Sequence, residues 1–143
     1  MAVEDFLTVR SAIRSLADPR TRPVAKSLLV DYGAKAVPPL IRTLGDSDRE
    51  LVCAAAQVLG DIGDARAIGP LTSLTMHDTP EVATDAVMAL GRIRNLESLP
   101  GLHRALHSKQ PTVRLEAALS LARLSSECSG KLSDQASVAL RHL

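Results

Sequence analysis

A period of 31 residues constrains this chain more than anything else in it. Asp48 to Asp78, DRELVCAAAQVLGDIGDARAIGPLTSLTMHD, reads as one two-helix unit, and Thr79 to Lys109 repeats it. Moving forward by 31 puts Leu51 on Val82, Ala55 on Ala86, Leu59 on Leu90 and Gly60 on Gly91. Ile62 then falls on Ile93, Ile68 on Leu99 and Leu71 on Leu102. Apolar positions are kept while polar ones drift, and that is the mark of stacked repeats, each too small to bury its apolar face alone.

Further copies lie on both sides. Backward by 30, Ala55 falls on Ala25, Leu59 on Leu29 and Gly63 on Gly33. The offset then becomes 31, with Val37 under Ile68 and Leu40 under Leu71, so the first copy has a turn one residue shorter. Forward, Val82 reaches Val113, Ala86 Ala117, Leu90 Leu121 and Ile93 Leu124, after which the match fades. The chain therefore reads as a single domain, residues 1–143. It has an N-terminal capping helix (1–17), three full repeats (18–47, 48–78, 79–109) and a partial repeat with a C-terminal cap (110–143).

Local signals place the helices. Val3, Phe6, Ile13 and Leu16, with Leu7 nearby, recur at helical spacing over residues 3–17. In each repeat we call the first helix A and the second B. Thr21 is the expected cap of a helix from Arg22 to Tyr32 that Gly33 stops. Ser47 and Glu50 fit a capping box for the second copy, with Asp48 the alternative start, and Thr79-Pro80-Glu81 caps the third. The B helices are expected over about 36–45, 65–76 and 97–107, each with a proline near its start: Pro38 and Pro39, Pro70, and Pro100. The last A helix is expected from Pro111 to Leu124, then an irregular 125–131 and a final amphipathic helix from Asp134 to Leu143.

The pattern V-x-x-x-A-A-x-x-L-G, a Gly/Asp turn and A-I-x-P-L resembles HEAT-like repeats of the kind named for phycobilisome lyases. Leu51, Ala55, Leu59, Gly60, Asp64, Ala67, Ile68, Pro70 and Leu71 carry it, over roughly residues 18–124. The resemblance implies an all-α fold, a right-handed α-solenoid of helix-turn-helix repeats whose B helices line the concave binding face. With 37/68/99 and 40/71/102 in the core, the next positions point outward. The candidate partner-binding surface is then Ile41, Arg42, Thr72, Ser73, Met76, His103, Arg104 and His107.

Composition narrows the function. Lys and Arg number 17 against 16 Asp and Glu, so the basic excess of a nucleic-acid binder is missing. Aromatics are only Phe6 and Tyr32, too few for base stacking. Cys53 and Cys128 form no disulfide framework or metal motif. No apolar run spans a membrane, and the N-terminus lacks a secretory signal, so a cytoplasmic protein is expected. His103 and His107 are i, i+4, Asp134 is the 31-residue successor of His103, and His77 lies at the end of the preceding B helix, but no Glu follows His103 as in metalloproteases. The deoxyhypusine hydroxylases, a related repeat family, bind iron through His-Glu pairs. Here Asp, Arg, Ser and Leu follow His77, His103, His107 and His142. No phosphate loop or nucleophile elbow is present. The reading is a monomeric, non-catalytic scaffold or adaptor that binds another protein, with no catalytic residues, cofactor, metal, nucleic acid or membrane. The alternative is a subunit of a bilin lyase-type enzyme or another ligand-binding HEAT-repeat protein.

Overall fold

The computed structural model describes residues 3–127, with side chains described for 8–126. Eight α-helices account for most of it: α1 (Val3–Ser15), α2 (Arg22–Tyr32), α3 (Val37–Thr43), α4 (Arg49–Ile62), α5 (Ile68–Leu74), α6 (Pro80–Ile93), α7 (Leu99–Ala105) and α8 (Pro111–Glu127). The chain is an all-α repeat solenoid. Helices α2, α4, α6 and α8 are the A helices, and α3, α5 and α7 the B helices. Each A helix packs on the next A helix, and each B helix wedges against the A helix that follows it. The expected last helix over 134–143 lies outside the described residues.

The core is the column set that the period predicts. Leu29, Leu59 and Leu90 are fully buried, as are Leu40, Leu71 and Leu102. Ala55, Ala86 and Ala117 sit at the same level in α4, α6 and α8, all at 0% exposure. Small residues there let the helices approach closely. At Gly60 a Cβ would lie 2.8 Å from Ala89 Cα, and at Gly91 one would lie 2.7 Å from Ser120 Oγ. The same column holds Val30 in α2, and α2 touches α4 far less than α4 touches α6. Helix α1 packs on α2 and α3, through Val9 and Leu16 at 0% and Ala12 at 5%.

The helix ends differ from expectation in instructive ways. Ser47 is not the cap of α4. Asp48 is, its carboxylate accepting from the N–H groups of Glu50 at 3.1 Å and Leu51 at 3.4 Å. The Asp48 N–H, which a capping box leaves to Glu50, is taken by Asp46 Oδ1 at 2.9 Å. Glu50 is thereby released to pair with Arg22 at 3.3 Å. Thr79 and Thr21 precede their helices without a side-chain cap bond. Instead, His77 Nδ1 accepts the Thr79 N–H at 3.0 Å, and Ser108 Oγ that of Gln110 at 3.2 Å. Asp46, His77 and Ser108 are one repeat column doing one job with three chemistries.

Each B helix is shorter than expected, because a 3-10 turn precedes it: Gly33–Ala36, Ala65–Ala67 and Leu96–Ser98. In two of these turns the side chain before the first residue caps it, Asp64 accepting from Arg66 N and Asn95 from Glu97 N. The A helices end on a column of positive φ: Gly33 at 58°, Gly63 at 77° and Arg94 at 55°. Only glycine adopts such φ at no steric cost. Helix α8 runs on to Glu127, so Ser125 to Glu127 are helical where an irregular stretch was expected, and the rest of that stretch lies outside the described residues. Leu99 is 37% exposed rather than buried like Val37 and Ile68. Among the described residues, no helix is long and apolar enough to cross a membrane.

Candidate functional site

The B helices are short because a 3-10 turn precedes each, and their outer positions follow from that start. Val37 and Leu40 of α3, Ile68 and Leu71 of α5, and Leu102 of α7 point into the core. The opposite side of these three helices presents Arg42, Ser73, His103 and Arg104 to solvent, with Met76 and His107 just past the ends of α5 and α7. Met76 is 51% exposed. Neither Arg42 nor Arg104 takes part in an ion pair among the described residues.

Two of the eight candidates do not point outward as expected. Ile41 is half-buried and packs on the core. Thr72 is half-buried because it fills the space beside Gly101 of α7, where a Cβ would lie 2.7 Å from Thr72 Oγ1. The absent side chain at Gly101 seats Thr72 between the two B helices. The exposed row is therefore Arg42, Ser73, Met76, His103, Arg104 and His107, polar and basic with one thioether.

The histidines do not converge as a ligand set. The His103 and His107 rings meet edge to face with centroids 6.0 Å apart. His77 already accepts the Thr79 N–H through Nδ1, and Asp134 lies outside the described residues. Among the described residues, no group of three or more His, Cys, Asp or Glu side chains could hold a metal ion.

Sequence reasoning missed the polar ties of the A layer. Arg22 binds Glu50, Lys26 binds Gln57, Gln57 binds Asp85 at 3.2 Å, and Arg92 binds Asp61 at 3.1 Å. Each tie joins one repeat to the next, at spacings near the repeat period. Beside them, burial and then a hydrogen bond to Asp85 push the Cys53 thiol up to about 12, so it stays protonated and inert at neutral pH. A hollow of about 440 Å³ opens here, lined by Arg22, Arg49, Glu50, Cys53, Gln57 and Glu81 among others. A second, of about 530 Å³, lies between α1 and α2, with Val24 and Leu28 in its wall. Neither is on the B-helix row. The polarity at 22, 26, 57 and 85 was visible in the sequence, but pairing across repeats depends on rotamers.

Comparison with known proteins agrees with the geometry. HEAT repeats are matched over residues 7–89 and again over 70–142. No curated protein matches the chain. Among solved structures, the complex of CpcE and CpcF of phycocyanin lyase from a Nostoc species superposes with a TM-score of 0.73 at 20% identity, over 85% of this chain and 80% of that one. Human deoxyhypusine hydroxylase, in complex with glycerol, superposes with a TM-score of 0.70 at 21% identity, over 82% of this chain. This chain spans 43% of the length of that hydroxylase. At these identities the likeness is one of fold.

Proposed function

The chain belongs to the HEAT-repeat family, and from that premise we propose that it is a cytoplasmic, non-catalytic scaffold that holds another protein against its B-helix layer. The observation that carries the reading is the row of exposed side chains in repeat register: Arg42, Ser73, Met76, His103, Arg104 and His107. These groups stand on helices already packed into a core, so little ordering opposes binding. Arg42 and Arg104, two repeats apart, fit a partner segment that carries carboxylates at a matching separation. Repeat architecture in the Nostoc structure occurs in a complex of two components, CpcE and CpcF, which supports association as the use of such a stack.

That neighbour also favours a second reading, a subunit of a bilin lyase-type enzyme. The two separate in one experiment. The wild-type chain and an Arg42→Glu/Arg104→Glu variant are used to capture proteins from the native lysate, and each is titrated with a bilin. The scaffold reading expects a partner held by the wild type and lost from the variant, with no colour change. The same partner in both lanes refutes the B-helix row as the site. A bilin spectrum that shifts on mixing replaces the scaffold with the lyase subunit.

A further inference from the structure

Inside the stack, each A helix turns one face to the A helix that follows. On α4 this face is Cys53, Ala56, Gln57 and Gly60, and on α6 it is Thr84, Val87, Met88 and Gly91. Ala56 and Val87 are 1% and 0% exposed there. Helix α8 carries the same positions as Leu115, Ala118, Leu119 and Ala122, and all four are exposed, Leu115 by 62% and Leu119 by 48%. No A helix follows α8 among the described residues. Among the described residues this face is uncovered, and at Leu115 it is more apolar than the covered faces before it.

We propose that this face is a self-association site, on which a second copy of the chain docks by pairing its own α8 antiparallel to the first. Two observations select a second copy as the occupant. The first is shape. The four residues fall at i, i+3, i+4 and i+7, a single stripe along the helix. With a twofold axis between Ala118 and Leu119, Leu115 faces the partner's Ala122 and Leu119 faces the partner's Ala118. Each leucine meets an alanine, so the stripe complements itself. The second is charge. Arg123 and Glu116 lie along one flank of the stripe, bonded to each other at 2.8 Å. The same axis brings Arg123 beside the partner's Glu116, and Glu116 beside the partner's Arg123, closing a ring of four alternating charges.

Head-to-tail stacking of α8 on α2 fits less well, although Val24 is 73% exposed at that end. Arg22 and Glu50 tie α2 to α4, and the repeat positions that succeed and precede them are Arg114 and Arg20. A head-to-tail joint would set these two arginines together, and it would grow without closing. The twofold pairing closes at two. It revises the monomer expected from the sequence, and it is independent of the B-helix row.

The test is sedimentation velocity of the whole chain from low micromolar to near-millimolar concentration. One helix pair buries less than the ~1,200 Å² of a standard interface, so a weak, reversible dimer is expected. Leu115→Glu/Leu119→Glu should remain monomeric, and should keep its thermal transition because both residues are exposed. Arg123→Glu and Glu116→Arg should each weaken the dimer tenfold or more. Mixed together they should restore it, since every cross-pair in the mixed dimer is again of opposite sign. Arg42→Glu/Arg104→Glu should sediment as wild type. A wild-type chain that stays monomeric throughout, a series growing past the dimer, or a mixture that fails to restore association overturns the proposal.

Discussion

Replacing Gly60 by alanine tests the closest contact in the stack, because two effects of opposite sign compete there. In a solvated helix interior, glycine to alanine is worth about 1 kcal/mol of stabilisation. At Gly60 the added methyl would lie 2.8 Å from Ala89 Cα and 3.1 Å from its Cβ. The nearest atom is backbone and cannot rotate away, so α6 as a whole must move. Overpacking of this kind costs about 1–3 kcal/mol, and a clash with backbone belongs at the upper end. The expected net effect is a loss of about 2 kcal/mol, or a Tm lower by about 6 °C for a domain of this length. Circular dichroism at 222 nm, followed against temperature and urea, measures it. Adding Ala89→Gly should not restore the loss, because the 2.8 Å contact is with the Ala89 Cα, which glycine keeps. A Gly60→Ala variant as stable as the wild type, or more so, would refute the reasoning, because helix propensity would then outweigh the contact.

Other outcomes follow from the repeat columns. Arg94 holds φ at 55° where the other copies have Gly33 and Gly63; Arg94→Gly should raise stability by about 1 kcal/mol, and an unchanged or lower urea midpoint would count against strain at this position. Ser98 is fully buried with no hydrogen-bond partner for Oγ among the described residues, in the column of Ala36 and Ala67; Ser98→Ala should stabilise by about 1 kcal/mol, read in the same melts. Arg66, first through the hydrogen bonds of its guanidinium and then through its backbone N–H, holds the Asp64 carboxyl below its usual range. Its contribution is therefore present above about pH 4 and is lost as pH falls through the depressed value. Asp64→Asn, which keeps an acceptor like that of Asn95, should be slightly less stable than wild type at neutral pH and equal to it in acid. With its thiol near 12, Cys53 should be alkylated at pH 8 on the order of a thousandfold more slowly than an ordinary cysteine, as followed by peptide-resolved mass spectrometry.

The period made the A helices and their buried columns legible, because a leucine at 29, 59 and 90 has only one way to be covered in a stack. The caps were less legible. Ser47, Asp48 and Asp46 all offer an acceptor, and only the path of the chain decides that Asp48 caps while Asp46 takes its N–H. The outward row was legible at Arg42, Ser73 and Arg104 but not at Thr72, whose burial is set by a glycine 29 positions on. Nothing in the fourth copy distinguished Leu115 from its covered predecessors Cys53 and Thr84. Exposure there depends on whether another A helix comes next, and that information is not in the residue itself.

The uneven joints between A helices bear on how the molecule opens. With Val30 in place of a glycine, α2 rests on α4 through limited contact, whereas α6 is gripped on both sides by α4 and α8. In a stack where each unit touches only its neighbours, such a gradient divides the free energy of opening along the chain. The first repeat and α1 can then leave and return while residues 48–127 stay folded. Brief excursions of this kind should show as faster amide exchange in α1 to α3 than in α4 and α6.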